Sequence, residues 1–204
     1  MFRIIKFGKL IRNLVLITMV LSISSFVGLQ KFFPEIDLFK LVTISTIIVG
    51  LIIYLILSPT ISRFLWCIFS NINKSLYPDL NGTWEGIITL NNGNTISCRA
   101  IIRQALLYTQ IDMHTETSKS TTLETTPDIE KGQFKLYYIY RSEPKNPSWG
   151  IYNGSTIFDI RKIEHDNKNL TIELSGKYYT SRETSGRISI KKVGNDINSE
   201  VSYY

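Results

Sequence analysis

The chain has 204 residues, a formal net charge of +6 and 12% aromatic residues, a length that allows one or two domains. Its basic excess is uneven: residues 1–79 hold 8 Lys/Arg against 3 acidic residues, whereas 80–204 hold 15 against 14. A near-neutral C-terminal part argues against binding long DNA or RNA by phosphate neutralisation, and leaves room for a small anionic ligand in a local pocket.

The first element is an uncharged run of sixteen residues, Leu14 to Leu29, preceded by Arg3, Lys6, Lys9 and Arg12; a second run of seventeen, Leu41 to Leu57, follows. At 1.5 Å rise per residue each covers about 24–26 Å of a bilayer interior of roughly 30 Å, so flanking apolar residues must extend them while Lys9, Arg12 and Lys40 reach out to the headgroups. The runs predict membrane helices over about 11–30 and 38–58. A cleavable signal peptide is the rival reading of the first run. A second run close behind it, and the lack of a clean small-x-small cleavage site, favour a retained hairpin. Four basic residues precede the first run and Arg63 and Lys74 follow the second, against Lys31 and Lys40 in the connection with Phe32, Phe33 and Pro34, so the positive-inside rule puts both termini in the cytoplasm. Ser24 with Gly28, and Thr46 with Gly50, have the four-residue spacing of small residues that lets helices approach closely, with packing inside one hairpin favoured over an oligomer face. Residues 60–76 continue as an apolar-rich helix, expected to lie partly in the headgroup region with Trp66 near the interface.

Tyr77-Pro-Asp-Leu-Asn-Gly-Thr-Trp-Glu-Gly86 is the seam. Pro78 removes a backbone donor and Asn81-Gly82 favours a turn, so the helical pattern stops and strand chemistry begins at Thr83. The expected division is a membrane module over 1–79 and a β domain over 80–204. Cys67 falls in the helical part and Cys98 in a strand, which does not describe a disulfide framework. His114 and His165 are too far apart for a metal-ligand spacing.

From Thr83 the period is two, with β-branched and aromatic residues enriched. Strands are predicted near 83–90, 95–104, 106–117, 118–126, 132–140, 151–161, 169–181 and 186–193. Turn chemistry at 91–94, Pro127-Asp128, 166–169 and 183–186 separates most of them. Eight short antiparallel strands fit a sandwich or a closed up-and-down barrel; the barrel is preferred, since eight strands enclose a core of side chains or one small ligand. Gly82-x-Trp84 at the first strand is similar to the start of lipocalin-type barrels, in which such a Trp plugs the closed end.

Alternation puts Trp84, Gly86, Ile88 and Leu90 on one face of the first strand, and Ile96, Cys98, Ala100 and Ile102 on that of the second. On later strands the inward face changes from aliphatic to aromatic or hydroxyl towards one end. In an up-and-down barrel the turns near 91–94, 117–119, 141–150 and 182–186 share one rim. Thr115, Thr117, Ser120, Tyr138, Tyr140, Tyr152, Tyr178, Thr180 and Arg182 all fall near it, and the first strand starts at the other rim, where the membrane helices attach. A polar, aromatic mouth above an apolar floor is how a small-molecule site with a few polar anchors is built. Tyrosine faces stack bases, hydroxyls exchange hydrogen bonds and Arg182 meets phosphate oxygens, so these nine residues are the candidate ligand site. The same residues also have a bland reading as wall packing, a solvated edge strand and, for Arg182, an ion pair with Glu183 or Glu143. No catalytic set and no metal site stand out: His114 lies on an exterior face, His165 in a turn, and the Ser, His and Asp residues have no nucleophile spacing.

Two N-terminal apolar helices, the Tyr77–Gly86 stretch, Thr117-Ser-Lys-Ser-Thr-Thr122, Leu136-Tyr-Tyr-Ile-Tyr-Arg-Ser-Glu-Pro-Lys145, Tyr152-Asn-Gly154 and Leu174-Ser-Gly-Lys-Tyr-Tyr-Thr-Ser-Arg-Glu-Thr-Ser-Gly186 together resemble the two-transmembrane, β-strand-rich effectors of bacterial cyclic-oligonucleotide antiphage defence (CBASS). The resemblance spans nearly the whole chain in order. It implies a cytoplasmic barrel that senses a cyclic dinucleotide made by a partner nucleotidyltransferase, with no cofactor and no enzymatic activity. It further implies self-association on binding, disruption of the bacterial inner membrane and death of the infected cell, so its partners are the cyclic dinucleotide, the lipid bilayer and further copies of the chain. The hydroxyl run departs from a regular Ser-x-Ser-x-Ser alternation, with Lys119 between Ser118 and Ser120 and Thr122 in third place. A membrane-anchored lipocalin-like binder of an apolar or amphipathic molecule is the alternative, and a filled barrel that docks a partner by its exterior is a third.

Overall fold

The computed structural model describes residues 7–72, 77–106, 108–164 and 170–197. Helices α1 (Phe7–Phe32) and α2 (Leu38–Leu57) form an antiparallel hairpin. Both are long and apolar enough to cross a membrane. Val15, Leu16, Met19, Val20 and Ile23 of α1 and Ile47, Leu51 and Leu55 of α2 are bare, a surface that water does not favour and lipid does. The hydroxyls of Thr18, Thr43 and Thr46 are turned back onto the carbonyls of Leu14, Phe39 and Val42 at 2.8–2.9 Å, which satisfies these three donors within their own helices. The seam between the helices is Leu41, Ser45 and Val49, each under 6% exposed. The small-residue pairs are not on it: Ser24, Thr46 and Gly50 are exposed, and nothing lies within 4 Å of where a Cβ on Gly28 or Gly50 would stand. Packing inside the hairpin therefore uses a different stripe from the one the spacing predicted.

Ser58 is extended and Pro59 opens helix α3 (Pro59–Ile72). The residue before a proline avoids the helical region and proline suits a first helical position, so the chain turns out of α2 there. Helix α3 is amphipathic, yet its Trp66 is 1% exposed and belongs to the barrel core together with Tyr77, Leu80 and Trp84. This corrects the interfacial placement of Trp66: the exposed apolar residues of α3 are Phe64, Ile68 and Phe69.

Eight antiparallel strands close into an up-and-down barrel in sequence order: β1 (Gly82–Leu90), β2 (Thr95–Gln104), β3 (Thr109–Thr115), β4 (Ser118–Glu130), β5 (Gln133–Pro144), β6 (Tyr152–Glu164), β7 (Leu170–Thr180) and β8 (Ser185–Gly194), with β8 paired back on β1. The predicted turn at Pro127-Asp128 is instead inside β4, where Pro127 pairs with Leu136. The β3–β4 ladder ends well before it, so a residue without an N–H is tolerated there. The turn falls at Lys131-Gly132, both with positive φ. The predicted turn at 166–169 lies outside the described residues.

The core is graded along the barrel axis. At the end where α3 enters, Trp84, Ile102, Ile111, Leu136, Phe158, Leu174 and Ile190 are buried to 0% exposure. This floor is tied to α3 by polar bonds. Arg63 grips Asp79 through two N–H···O contacts of 2.7 and 2.8 Å and reaches the Gln104 carbonyl at 3.3 Å. Leu80 N–H donates to Gln104 Oε1 at 2.6 Å, Gln104 N–H to Asn81 Oδ1 at 3.0 Å, and Trp84 Nε1 to the Leu80 carbonyl at 2.9 Å. Two charge-assisted bonds in fork geometry, beside the amide bonds of Leu80, Asn81 and Gln104, fix the helix relative to the sheet.

Candidate functional site

The opposite rim carries the turns at 91–94, 116–117, 145–151 and 181–184. A cavity of about 150 Å³ opens there. It is lined by Thr115, Thr117, Ser120, Tyr138, Tyr140, Tyr152, Tyr178 and Thr180, above a base of Ile88, Ile96, Met113 and Ile188. Eight of the nine residues picked out by alternation and topology thus face one space. The ninth, Arg182, is outside the lining: its guanidinium lies 4.3 Å from the Tyr152 ring centroid and donates to the Gly150 carbonyl. Glu143 is paired with Lys119 at 3.0 Å, so the ion pair considered for Arg182 is replaced by a cation–π stack at the rim. Ser118, the first residue of β4, and Thr184, in the turn before β8, also line the cavity; at strand ends and turns period-two reasoning assigns no face.

Aromatic rings rise in a ladder from floor to mouth. Phe158 and Tyr138 stack at 6.2 Å between centroids, and Tyr138 and Tyr140 at 5.0 Å. Two glycines make the ring positions possible. Tyr140 pairs across the sheet with Gly154, and Tyr178 with Gly186. A Cβ on Gly154 would come within 2.3 Å of the Tyr140 ring, and one on Gly186 within 2.7 Å of the Tyr178 ring. Each ring therefore lies flat against bare backbone rather than across the lumen, and the mouth stays open.

The hydroxyls divide into engaged and available ones. Thr115 Oγ1 accepts the N–H groups of Thr117 and Ser118 at 3.3 and 3.0 Å and so holds the β3–β4 turn. Thr180 Oγ1 lies 2.6 Å from Thr184 Oγ1 and accepts from Arg182 N–H at 3.3 Å. Tyr138 donates to the Ile111 carbonyl at 3.3 Å. Among the described residues the hydroxyls of Ser120, Tyr152 and Tyr178 have no protein partner, which leaves them for a ligand.

Burial raises the pKa of Tyr138 well above the ordinary phenol value, and that of Tyr140 with it; the neighbouring phenols of Tyr152 and Tyr178 add to the shift of Tyr140. Tyr178 is raised by burial and by Tyr152. These groups are neutral donors at physiological pH. Burial pushes the Cys98 thiol up to about 12, which marks a packing residue rather than a nucleophile. Among the described residues no charged side chain lines the cavity. The mouth is a neutral, aromatic and hydroxyl-bearing bowl with the Arg182 cation on its rim, suited to a flat ring system and to an anionic group held by hydrogen bonds and Arg182.

Comparison with known proteins places the chain in a family. Residues 75–192 match the family model described as Cap15, cyclic dinucleotide receptor domain. The CD-NTase-associated protein 15 of Staphylococcus schleiferi is 29% identical over 141 residues, covering 64% of this chain and 70% of that protein.

Proposed function

This chain belongs to the Cap15 cyclic dinucleotide receptor family, and from that premise we propose that its barrel binds a cyclic dinucleotide at the Tyr-rich mouth and passes the signal to the membrane through self-association. The observation that carries the reading is the cavity in which Tyr138, Tyr140, Tyr152 and Tyr178 meet Ser120 and Thr117, with Arg182 above them. A base seats against the tyrosine faces, hydroxyls bind its edge, and phosphate oxygens meet the guanidinium. At about 150 Å³ the cavity is smaller than the roughly 300–1,000 Å³ of pockets that enclose a whole ligand. One part of the dinucleotide enters, and the remainder lies across the rim between the 145–151 loop and the 181–184 turn.

The chain divides into an inner-membrane hairpin over 1–79 and a cytoplasmic barrel over 80–204, with both termini on the cytoplasmic side and the mouth pointing away from the lipid. Ligand-driven gathering of hairpins compromises the bacterial inner membrane and kills the infected cell, with no chemical step on the nucleotide. A shift towards the assembled form requires the nucleotide to bind that form more tightly than the free one. Calorimetry of the full chain in detergent against a panel of cyclic dinucleotides tests the reading. One member of the panel is expected to bind with heat and saturation. Folded protein that binds none of them removes the receptor role.

A further inference from the structure

The joins between neighbouring strands of the barrel are not alike. β3 is paired with β2 along its whole length, from Thr115 opposite Cys98 to Thr109 opposite Gln104, and β4 is paired with β5 from Ser118 opposite Pro144 to Glu130 opposite Gln133. Between β3 and β4 the main-chain ladder is confined to Met113 with Ser120 and His114 with Lys119, beside the mouth. Below that point side chains take over. Thr122 Oγ1 accepts the Ile111 N–H at 2.7 Å and donates to the Ile111 carbonyl at 2.8 Å. Thr125 Oγ1 donates to the Thr109 carbonyl.

The sequence of β4 explains why the ladder stops. Its register on β5 shifts between Thr122 and Glu124, an irregularity that bends a strand away from its neighbour, and Pro127 brings no N–H to the lower part of the edge. Three hydroxyl bonds therefore stand where other joins have amide–carbonyl pairs. Each contributes about 0.5–1.5 kcal/mol net, so parting β3 from β4 costs far less than unfolding the sheet. The weak join also borders the ligand site. Met113 and Thr115 line the cavity from the β3 side, Ser118 and Ser120 from the β4 side. Tyr138, in the same lining, donates to the Ile111 carbonyl that Thr122 holds. At its lower end the join reaches Thr109, the cross-strand partner of Gln104, whose carbonyl takes the Arg63 guanidinium of α3.

We infer that the β3–β4 join is a gate in the wall of the site, latched by the Thr122 hydroxyl, and that a nucleotide seated in the mouth holds it shut. The latch stands on the hydrogen bonds alone; the part given to the nucleotide rests on the receptor reading and deepens it by naming how occupancy changes the barrel. Opening is local, because β3 stays on β2 and β4 stays on β5. It draws Met113 and Thr115 away from Ser118 and Ser120. A ligand that touches both sides binds the closed wall better than the open one, and shifts the population towards closure by that difference.

The test is hydrogen exchange of the full chain in phosphatidylethanolamine–phosphatidylglycerol vesicles, resolved to single amides by mass spectrometry. Since the Ile111 N–H faces β4, alternation turns that of Met113 to β4 as well and that of Asp112 to β2. Without nucleotide, Ile111 and Met113 are expected to exchange at least about tenfold faster than Asp112 and than Leu174 on β7. Thr122→Val keeps the branched shape and removes the hydroxyl. It should speed Met113, whose amide Thr122 does not bond, by a further factor of about ten, while Thr122→Ser keeps the parent rate. Cyclic di-AMP, cyclic di-GMP and cyclic GMP–AMP are then added in turn, with binding read by calorimetry. One that binds should slow Met113 about a hundredfold at a hundred times its Kd. Met113 no faster than Asp112 in the parent would overturn the gate, as would Thr122→Val speeding Ile111 alone or Leu174 equally, and each would leave the receptor reading intact. A nucleotide that binds without slowing Met113 would overturn its hold on the gate. Folded protein that binds none of the three, yet opens at Met113 under the control of Thr122, would uphold the latch and count against the receptor reading.

Discussion

Tyr140 on β5 lies flat across Gly154 on β6, its cross-strand partner, so closely that a single methyl on Gly154 would stand 2.3 Å from the ring. The pairing sets how far the ring projects into the mouth. Gly154→Ala must push the ring off the wall and into the cavity. Overpacking of this kind costs about 1–3 kcal/mol, so a lower thermal midpoint is expected together with at least tenfold weaker binding of the cognate cyclic dinucleotide. Differential scanning calorimetry and titration calorimetry read the two effects. Undiminished affinity would mean that the ligand does not use the space beside Tyr140.

Arg182 offers a separate handle, because it sits on the rim and supports nothing in the core. One N–H is spent on the Gly150 carbonyl and the guanidinium plane covers Tyr152, while other donors of the fork remain for an anion. Arg182→Ala is expected to leave the melting temperature within about a degree or two and to weaken nucleotide binding about tenfold or more. Arg182→Lys should recover only part of the loss, since an ammonium neither stacks nor forks. Equal affinity of all three proteins would take Arg182 out of the site.

The buried phenols make a statement about pH. Tyr138 and Tyr140 have pKa values raised by burial, and the unfolded reference is about 10. The folded chain therefore holds these protons where the unfolded chain releases them. Their contribution to stability is complete below pH of about 10 and declines as pH rises towards the folded values. In a spectrophotometric titration, part of the 11 tyrosines should stay unionised past pH 11 until the barrel melts. Tyr138→Phe should reduce the alkaline loss of stability. Complete ionisation near pH 10 with the fold intact would contradict the burial of these rings.

Much of this arrangement was legible in the chain. Period-two alternation names the inward side chains, and up-and-down connectivity decides which of them share a rim; together these place eight site residues at one cavity without knowledge of any contact. What escaped depends on partners distant in sequence. The role of Gly154 and Gly186 exists only once register sets them opposite Tyr140 and Tyr178. Pro127 reads locally as a turn, and only the early end of the β3–β4 ladder permits it inside a strand. At a register shift of the β4–β5 ladder between Thr122 and Glu124, Thr122 exchanges two hydrogen bonds of 2.7 and 2.8 Å with the Ile111 backbone, a side chain standing in for the β3–β4 ladder. Trp66 has the same local signature whether it meets headgroups or a barrel floor, and tertiary packing decides for the floor. The small-residue pairs of the hairpin mislead for the same reason: spacing of four is common, and the rotation of each helix about its axis is set by the other.

The joint between the helical hairpin and the barrel can be tested by loosening it. Arg63 is the residue of α3 that holds Asp79 in a two-point grip and also reaches the Gln104 carbonyl, and its pKa is raised chiefly by the hydrogen bond to Asp79, against the opposing pull of burial. Both partners keep some contact with water, at 26% and 35% exposure, so the pair itself contributes on the order of 1 kcal/mol or less. Arg63→Ala should therefore lower global stability only slightly, yet release the α3 backbone from the floor. Hydrogen exchange is expected to speed up several-fold in residues 63–72, with the amides of β1 and β2 unchanged. Exchanging the charges, Arg63→Asp with Asp79→Arg, should restore part of the protection. If α3 exchanges at the parent rate in Arg63→Ala, Trp66 packing alone fixes the helix and the ion pair has no part in the coupling. If instead the whole barrel loses protection, the floor and the sheet open as one unit, and the hairpin cannot move independently of the mouth.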